Sequence, residues 1–350
     1  MTRYYTRACN FYYGRVSKIL VNKNKTLPLN NNKEISFDKI EIISRRSKRK
    51  ILINNLNNLP KLLKKKIRFD LKNITSKKNN FANLKFQKIP NIMGVLNLTP
   101  DSFSDGGKFN KKNKGVRHAF QMFRSGANII DVGGESTRPG SKTINAKIEW
   151  KRIHKILKLI SKKAPISLDT RKSEVMEKGI KKGVKIINDV SGLNFDSKTI
   201  NILKKYKIPF VVQHSKGTPE NMQNKPNYKN ELLDIYDFFE DKIKFLRSIG
   251  IKHKNIIIDP GIGFGKNLKH NMNLISNISI FHSLGFPILV GNSRKRFIKE
   301  ISGENDTKNR VGGTVASSIY LMMQGVQILR VHDVNEILQG VKVFKELIKK

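Results

Sequence analysis

The chain has 350 residues, enough for one large domain or two, and its hydrophobic content of 38% suffices for a core. Its 69 Lys and Arg residues outnumber the 27 Asp and Glu residues, but the lysines are spread along the whole chain rather than confined to one patch. The single cysteine, Cys9, excludes a disulfide within the chain and is typical of a reducing compartment. No apolar run reaches the ~18 residues of a membrane span, so we expect no membrane partner.

The amino-terminal residues 1–14 are aromatic and basic and contain no apolar signal-peptide core, so we expect a cytoplasmic location. No acidic residue precedes Glu34, which leaves an organellar transit peptide open.

Residues 1–89 differ from the rest because they carry 23 Lys and Arg residues against 4 Asp and Glu residues. Partial alternation over 35–43 and a second apolar run at 50–53 predict a small hairpin or sheet. Leu62, Leu63 and Ile67 fit a short helix. We find no catalytic group here. The region is interpreted either as a small appended domain or interaction arm, or as a weakly ordered basic extension.

Residues 90–350 alternate short apolar strands with amphipathic helices, which favours a parallel sheet. Their length is close to the ~250 residues of an eight-stranded β/α barrel. We predict an α/β fold, with a (β/α)8 TIM barrel at 90–350 and a small basic extension at 1–89. An open doubly wound sheet is the alternative, but the glycine-rich turn of its nucleotide-binding form is missing after the first strand. The predicted strands are 92–96, 129–132, 166–168, 186–188, 210–213, 256–258, 288–290 and 328–331.

A polar group follows nearly every predicted strand, and the carboxyl ends of barrel strands open onto one mouth. Asp169, Asn188 and Asp259 supply carboxylates and an amide, which suit a flat heterocycle with adjacent N–H groups. Lys295 suits a carbonyl and a ring nitrogen of the same heterocycle.

A second group of side chains predicts an anion site. Arg330 and His332 suit a phosphate, and the Asn97 carbonyl oxygen suits a magnesium ion that the phosphate also binds. We expect a ligand with a heterocycle at one end and a diphosphate at the other. The acidic and the cationic groups are then predicted to occupy opposite corners of the mouth.

Seven motifs in order carry a family resemblance. They are GVLNLTPDSFSDGG at 94–107, DVGGESTRPG at 131–140, SLDT at 167–170, INDVSG at 187–192, DPGIGFGK at 259–266, SRK at 293–295 and RVHDV at 330–334. Across 90–350 the chain resembles dihydropteroate synthase, a pterin-binding barrel enzyme of the folate pathway. The resemblance implies the condensation of 6-hydroxymethyl-7,8-dihydropterin diphosphate with 4-aminobenzoate to give dihydropteroate and pyrophosphate.

The resemblance also implies roles for individual residues, Mg²⁺ as cofactor and a homodimer as assembly. The implied catalytic residues are Asn97, which binds the metal, Lys295, Arg330 and His332. The implied substrate-binding residues are Asp169, Asn188, Asp259 and Lys295 for the pterin, Thr137, Arg330 and His332 for the diphosphate end, and Phe103, Arg138, Pro139, Phe264 and Lys295 for 4-aminobenzoate. Closure of the loops 97–109 and 133–143 is expected to complete the last pocket.

Three positions depart from the family pattern. Ser215 stands where methionine is usual, Arg171 where an aromatic residue is common, and Arg296 where serine is common. We expect Arg171 to be exposed near the mouth and to help collect the diphosphate.

Two other functions are considered. A pterin-barrel methyltransferase acting on methyltetrahydrofolate shares Asp169, Asn188 and Asp259 but needs neither the loop after Asn97 nor the anion site. A nucleic-acid-binding protein built on 1–89 is supported by charge alone, because this region has no aromatic-interleaved RNA motif and no zinc spacing. We therefore do not expect a nucleic-acid partner.

Overall fold

The structure is a computed structural model that describes residues 2–82, 84–99, 114–138, 140–222 and 226–349. Its amino-terminal part is a four-stranded antiparallel sheet. The long strand β3 pairs with β1 along one edge and with β2 and β4 along the other. The strands are β1 (Tyr5–Tyr13), β2 (Leu27–Leu29), β3 (Asn32–Ile43) and β4 (Lys48–Leu52).

Two helices accompany this sheet, α1 (Gly14–Asn22) and α2 (Lys61–Thr75). Helix α2 turns Leu63, Ile67, Leu71 and Ile74 inward, because residues three and four apart share one helix face. The predicted hairpin is present as β3 and β4, and the predicted short helix is present as α2. Strand β1 was not predicted from the sequence.

The rest of the chain contains eight parallel strands with helices between them, so the predicted (β/α)8 barrel is confirmed. The strands follow one another around the barrel in chain order, and a bridge between Ile258 and Ile288 joins the two ends of the sheet. They are β5 (Asn91–Asn97), β6 (Ile129–Gly133), β7 (Ile166–Asp169), β8 (Ile186–Asp189), β9 (Phe210–Gln213), β10 (Ile256–Asp259), β11 (Leu289–Val290) and β12 (Ile328–Val331).

Helices surround the strands. Because the strands are buried on both faces, their sequences are continuous apolar runs. The helices are α3 (Lys114–Arg124), α4 (Ala146–Ile160), α5 (Ser173–Lys181), α6 (Thr199–Tyr206), α7 (Glu231–Ser248), α8 (Leu268–Ser276), α9 (Arg296–Ser302), α10 (Val311–Met323) and α11 (Val334–Leu347). No helix in the described ranges is long and apolar enough to cross a membrane.

The amino-terminal end of the barrel is filled by the segment that leads into β5. Leu84 and Phe86 are fully or almost fully buried there. They join a hydrophobic cluster formed by residues near the starts of the strands, namely Met93, Ile129, Ile186, Val211, Ile257, Leu289 and Ile328. Because this end is packed, the carboxyl ends of the strands are left to form a site.

The amino-terminal sheet packs against the outside of the barrel. Tyr5 is fully buried, its ring meets that of Tyr236 edge-on at 5.1 Å, and its hydroxyl donates to Asp237 over 2.9 Å. The Ser279 hydroxyl donates to the Ala8 carbonyl over 3.0 Å. The short 3₁₀ helix Ile278–Leu284, between α8 and β11, is thus covered by the sheet.

Candidate active site

A cleft of about 490 Å³ lies at the carboxyl ends of the barrel strands. Of the predicted site residues, those that line it are Asn97, Thr137, Arg138, Asp169, Phe264, Lys295, Arg330 and His332. Asn188 and Asp259 are buried at the ends of β8 and β10 and do not line the cleft. Phe103 and Pro139 lie outside the described residues.

The floor of the cleft is organised by one arginine and two carboxylates. Arg330, on β12, donates from Nε to Oδ2 of Asp131 over 2.6 Å and from Nη2 to Oδ2 of Asp169 over 2.8 Å. Asn188 donates from Nδ2 to the same Asp131 oxygen over 3.0 Å. Four strands, β6, β7, β8 and β12, therefore meet in one hydrogen-bonded cluster.

This cluster corrects the prediction of two opposite corners. Arg330, assigned to the anion site, is bonded to Asp169, assigned to the heterocycle. Burial in a shared low-dielectric environment makes an unpaired charge costly, so the acidic and cationic groups are interleaved rather than separated. The sequence showed which groups end the strands but not which of them pair across the barrel.

Burial also sets the pKa values at the floor. It raises the pKa of Asp169, which the nearby Arg330 opposes, and it raises the pKa of Asp259 to about 6. It lowers the pKa of Lys295 to about 8, helped by the charge of Arg330. The Asn188 Oδ1 atom and the Asp131 Oδ1 atom are buried without a hydrogen-bond partner. Buried acceptors of this kind favour a ligand that brings N–H donors.

The Lys295 side chain is held on an aromatic wall. Its Nζ lies 4.2 Å from the centre of the Phe264 ring, a cation–π distance. Gly263 permits this approach, because a Cβ there would be 3.2 Å from Lys295 Cδ and its φ of +81° suits glycine alone. One face of the cleft therefore combines an amine with an apolar ring.

His332 lies in a strongly cationic environment. Its Nδ1 is 3.0 Å from the Ser293 hydroxyl. Burial, together with Arg294, Arg330, Arg138 and Lys295, holds the pKa of His332 well below its ordinary value. The imidazole is neutral as it stands, and the surrounding positive charge favours an anion at this end of the cleft.

Asn97, the predicted metal ligand, lines the cleft close to a second oxygen-bearing side chain, that of Asp169. A Cβ at Gly133 would lie 3.5 Å from Asn97 Oδ1 and 3.6 Å from Asp169 Oδ2, so the missing side chain leaves a small gap between two oxygens. Within the described ranges, no cluster of three or more His, Cys, Asp or Glu residues offers a complete metal site. Mg²⁺ commonly combines one or two protein oxygens with phosphate and water, which agrees with this arrangement.

Sequence reasoning did not assign two residues that the structure places at the site. Asp131 is the fully buried partner of Arg330. Lys266 lines the cleft, with Nζ 3.0 Å from His214 Nδ1 and donating to the Phe264 carbonyl over 2.8 Å, and burial lowers the pKa of Lys266 to about 7. Both belong to the quoted motifs, so their position next to assigned residues was the available signal.

The three departures fall in different places. Arg171 is only 4% exposed and pairs with Glu135, so the prediction of an exposed arginine is wrong. Arg296 lines the cleft, is exposed, and pairs with Glu300. Ser215 is half-buried near the Gly217 carbonyl.

An eight-stranded α/β barrel with a polar cleft at the carboxyl ends of its strands defines a class of barrel enzymes. A family model described as "Pterin binding enzyme" matches residues 93–332. The dihydropteroate synthase of Synechocystis is 40% identical over 254 residues, which covers 72% of this chain and 88% of the relative. That of Bacillus subtilis is 38% identical, over 76% of this chain and 92% of the relative.

Solved structures agree with these relatives. The Yersinia pestis dihydropteroate synthase, solved as a sulfonamide drug complex, aligns with a TM-score of 0.73 at 36% identity. The alignment covers 76% of this chain and 97% of that structure. The chain belongs to the dihydropteroate synthase family of pterin-binding enzymes.

Proposed function

We propose that this chain condenses 6-hydroxymethyl-7,8-dihydropterin diphosphate with 4-aminobenzoate to form 7,8-dihydropteroate and pyrophosphate. The observation that carries the proposal is the cleft itself, which Asp169, Lys295, Arg330 and His332 line together and where four cationic side chains surround His332. These carboxylate, amine and guanidinium groups suit the N–H groups, the carbonyl and the diphosphate of one pterin diphosphate molecule. Relatives from Xanthomonas albilineans were solved with 4-aminobenzoic acid and with 7,8-dihydropteroate, which supports this substrate pair.

The reaction breaks the bond between the pterin methylene and the diphosphate oxygen and forms a bond from that methylene to the aniline nitrogen. The leaving diphosphate gains negative charge, which Arg330 and the cations around His332 stabilise. The methylene gains positive charge, which the carboxylate of Asp169 in the cleft stabilises. The aniline nitrogen is a nucleophile at neutral pH and loses one proton after attack. Exclusion of water from the cleft protects the cationic carbon.

Mg²⁺ is proposed as the cofactor, with Asn97 as its protein ligand. When bound, it would neutralise charge on the diphosphate oxygens. The support is the gap between Asn97 and Asp169 opposite Gly133 and the oxygen chemistry of these side chains. Manganese prefers similar ligands, so the metal preference is settled by comparing pyrophosphate binding with each ion.

The decisive experiment incubates the purified chain with the pterin diphosphate, 4-aminobenzoate and Mg²⁺ and measures dihydropteroate. Product formation supports the proposal, and its absence from a folded, pterin-binding protein contradicts it. Methyl transfer from methyltetrahydrofolate, assayed in parallel, would favour the methyltransferase. Salt-dependent binding of single or double strands would favour the nucleic-acid function.

Asn97→Ala and Arg330→Met are the informative variants in this assay. Both are expected to slow turnover more than they weaken pterin binding, because their partner is the charge that develops on the diphosphate. Equal losses in turnover and in pterin affinity would contradict these roles.

Three further features are proposals that follow from the resemblance and the composition. We propose a cytoplasmic location, a homodimer and a division of the chain at 89/90 into an appended unit and a barrel. Sedimentation of the purified chain tests the dimer, and localisation of a tagged full-length chain tests the compartment.

A further inference from the structure

A second charged cluster lies beneath the loop that carries Thr137 and Arg138. Its members are Glu135, Glu149, Arg171 and Lys172, whose side chains are at most 8% exposed. Glu135 accepts from Arg171 Nε through Oε2 and pairs with Lys172 through Oε1, both over 2.8 Å. Lys172 also donates to Glu149 over 2.7 Å. Two carboxylates and two cationic side chains thus form one buried cluster with no formal net charge.

This cluster holds the loop from its carboxyl side. The Ile144 amide donates to Glu135 Oε1 over 3.0 Å, and Arg171 Nη2 donates to the Thr143 hydroxyl over 2.9 Å. Although burial alone raises the pKa of Glu135, hydrogen bonds from Arg171 and Lys172 and from this amide lower it, so the carboxylate is charged. The loop therefore has a charged anchor point under residues 143 and 144.

The amino side of the loop is fixed as well. Arg152 donates from Nη1 to the Gly134 carbonyl over 2.8 Å. A Cβ at Gly134 would meet the Glu149 carbonyl oxygen at 2.9 Å, which shows how closely this backbone packs on α4. Between the two fixed ends, Ser141 donates to the carbonyls of Ser136 and Arg138, each over 2.7 Å.

Arg171 also connects the loop to the rest of the mouth. It follows Asp169 by two residues, and its guanidinium lies 4.0 Å from the centre of the Phe195 ring on the loop after β8. A buried ion cluster commonly adds little stability over apolar residues of similar volume, so its retention is better explained by the geometry it imposes. The geometry imposed here is the path of the loop at the rim of the cleft.

We propose that Arg171 and Glu135 are positioning residues that hold residues 133–138 and 140–145, the loop after β6, so that Thr137 and Arg138 face the cleft. The expected effect of these two residues on catalysis rests on the proposed function, whereas their expected effect on the loop conformation does not. The residue at 171 departs from the family pattern, so this arginine supplies the loop anchor in the present chain.

The test uses Arg171→Met, which removes the charge and keeps the length, and Thr143→Val, a milder change that removes only the loop-side acceptor. Glu41→Gln is the matched control, because it breaks the buried Arg7–Glu41 pair of the amino-terminal sheet, far along the chain from the cleft. Amide hydrogen exchange at 141–145 reports the loop, and steady-state kinetics with calorimetric pterin binding report the reaction.

We expect faster amide exchange at 141–145 in Arg171→Met and in Thr143→Val. Exchange there should keep the wild-type rate in Glu41→Gln. The KM for 4-aminobenzoate should rise about tenfold in Arg171→Met and about threefold in Thr143→Val, because a small displacement of a positioned group has large kinetic effects. The Kd for the pterin diphosphate should rise by at most about twofold, since Thr137 is the one loop residue assigned to the diphosphate end and the pterin contacts Asp169, Asn188, Asp259 and Lys295 lie outside the loop.

Unchanged exchange at 141–145 in both variants would overturn the proposal, as would faster exchange with an unchanged KM. An equal loss of pterin affinity would also overturn it, because that result indicates general disruption of the mouth. Absence of dihydropteroate from the wild-type reaction would instead contradict the proposed function, and exchange would still decide whether the cluster holds the loop.

Discussion

The guanidinium of Arg330 and the carboxylate of Asp169 are joined by a hydrogen bond of 2.8 Å between Nη2 and Oδ2. The residue that was predicted to bind the diphosphate thus contacts a residue that was predicted to bind the pterin. A single charged cluster therefore spans both ends of the proposed substrate.

Asp131→Asn should lower kcat at least tenfold and reduce the free energy of unfolding by about 2 kcal/mol. Asp131 is fully buried and accepts from both Arg330 and Asn188, so its neutralisation removes a charge-assisted bond and lets the arginine shift. Enzyme assay and denaturant titration measure the two effects. Wild-type turnover in the folded variant would show that Asp131 does not position Arg330.

Binding of pyrophosphate should raise the pKa of His332. Burial and the four cations around it now hold that pKa well below its ordinary value, and a bound anion would offset their charge. The measurement is NMR titration of the histidine ring nitrogens in metal-free buffer, with and without pyrophosphate. His282 serves as the internal control, because it is fully buried outside the cleft with its pKa lowered to about 4. A response of both histidines, or of neither, would argue against the anion site.

The dependence of kcat/KM on pH should be bell-shaped, with its maximum between about pH 6 and pH 8. Burial raises the pKa of Asp259 to about 6, so the acid limb reports loss of its charge as pH falls. Burial lowers the pKa of Lys295 to about 8, so the alkaline limb reports loss of its proton as pH rises. Lys295→Arg should move the alkaline limb upward by more than one pH unit. An alkaline limb that does not move in this variant would assign it to another group.

Asp189→Asn should stabilise the protein at pH 8 by up to about 3 kcal/mol. Burial raises the pKa of folded Asp189 to about 6, above the ~3.9 of an unfolded aspartate. The folded state then holds the proton more tightly, so this stabilisation is complete below about pH 4 and is lost as pH rises through 6. Denaturant titrations of both proteins at pH 4 and pH 8 measure the difference. Asp189 is also the matched control for Asp131, because it has no salt-bridge partner within 4.0 Å among the described residues. A constant stability difference at the two pH values would contradict the assignment.

Tyr5→Ala should reduce the free energy of unfolding by about 3–5 kcal/mol, as large-to-small changes of buried aromatic residues do. Tyr5 is fully buried between the sheet and α7, and it bonds to Asp237. Tyr12→Ala, on the same strand but half-buried, is the control and should cost clearly less. Equal losses of unfolding free energy in the two variants would indicate that packing of the sheet contributes little to the stability of the barrel. Deletion of 1–89, tested for folding and for activity, extends the same question to the whole region.

The sequence predicted the barrel well because each parallel strand is buried on both faces and has an unbroken apolar run. All eight predicted strands are present, and each differs from the observed bounds by at most one residue at either end. Strand β1 was missed because Asn10, with φ of 58°, interrupts its alternation and its aromatic residues resemble a targeting segment.

The sequence predicted which site residues lie at the ends of strands, but it did not predict which of them contact one another. The strand order places Asp169, Lys295 and Arg330 at the same end of the barrel. Which of these side chains form ion pairs depends on their lengths and on the distances across the barrel. Arg171 was placed wrongly for a related reason. Its partner Glu135 lies 36 residues earlier in the chain, and only the folded loop brings the two together.

The 3₁₀ helix Ile278–Leu284 depends on the amino-terminal region for its cover. Its residues 278–283 are buried, and contacts from Ala8 and from Asn73, which donates to the Ser283 carbonyl over 2.8 Å, cover its outer side. Residues 1–89 therefore cover part of the barrel wall, as they also do at α7 through Tyr5. Removal of this segment would expose the apolar surface of the 3₁₀ helix to solvent.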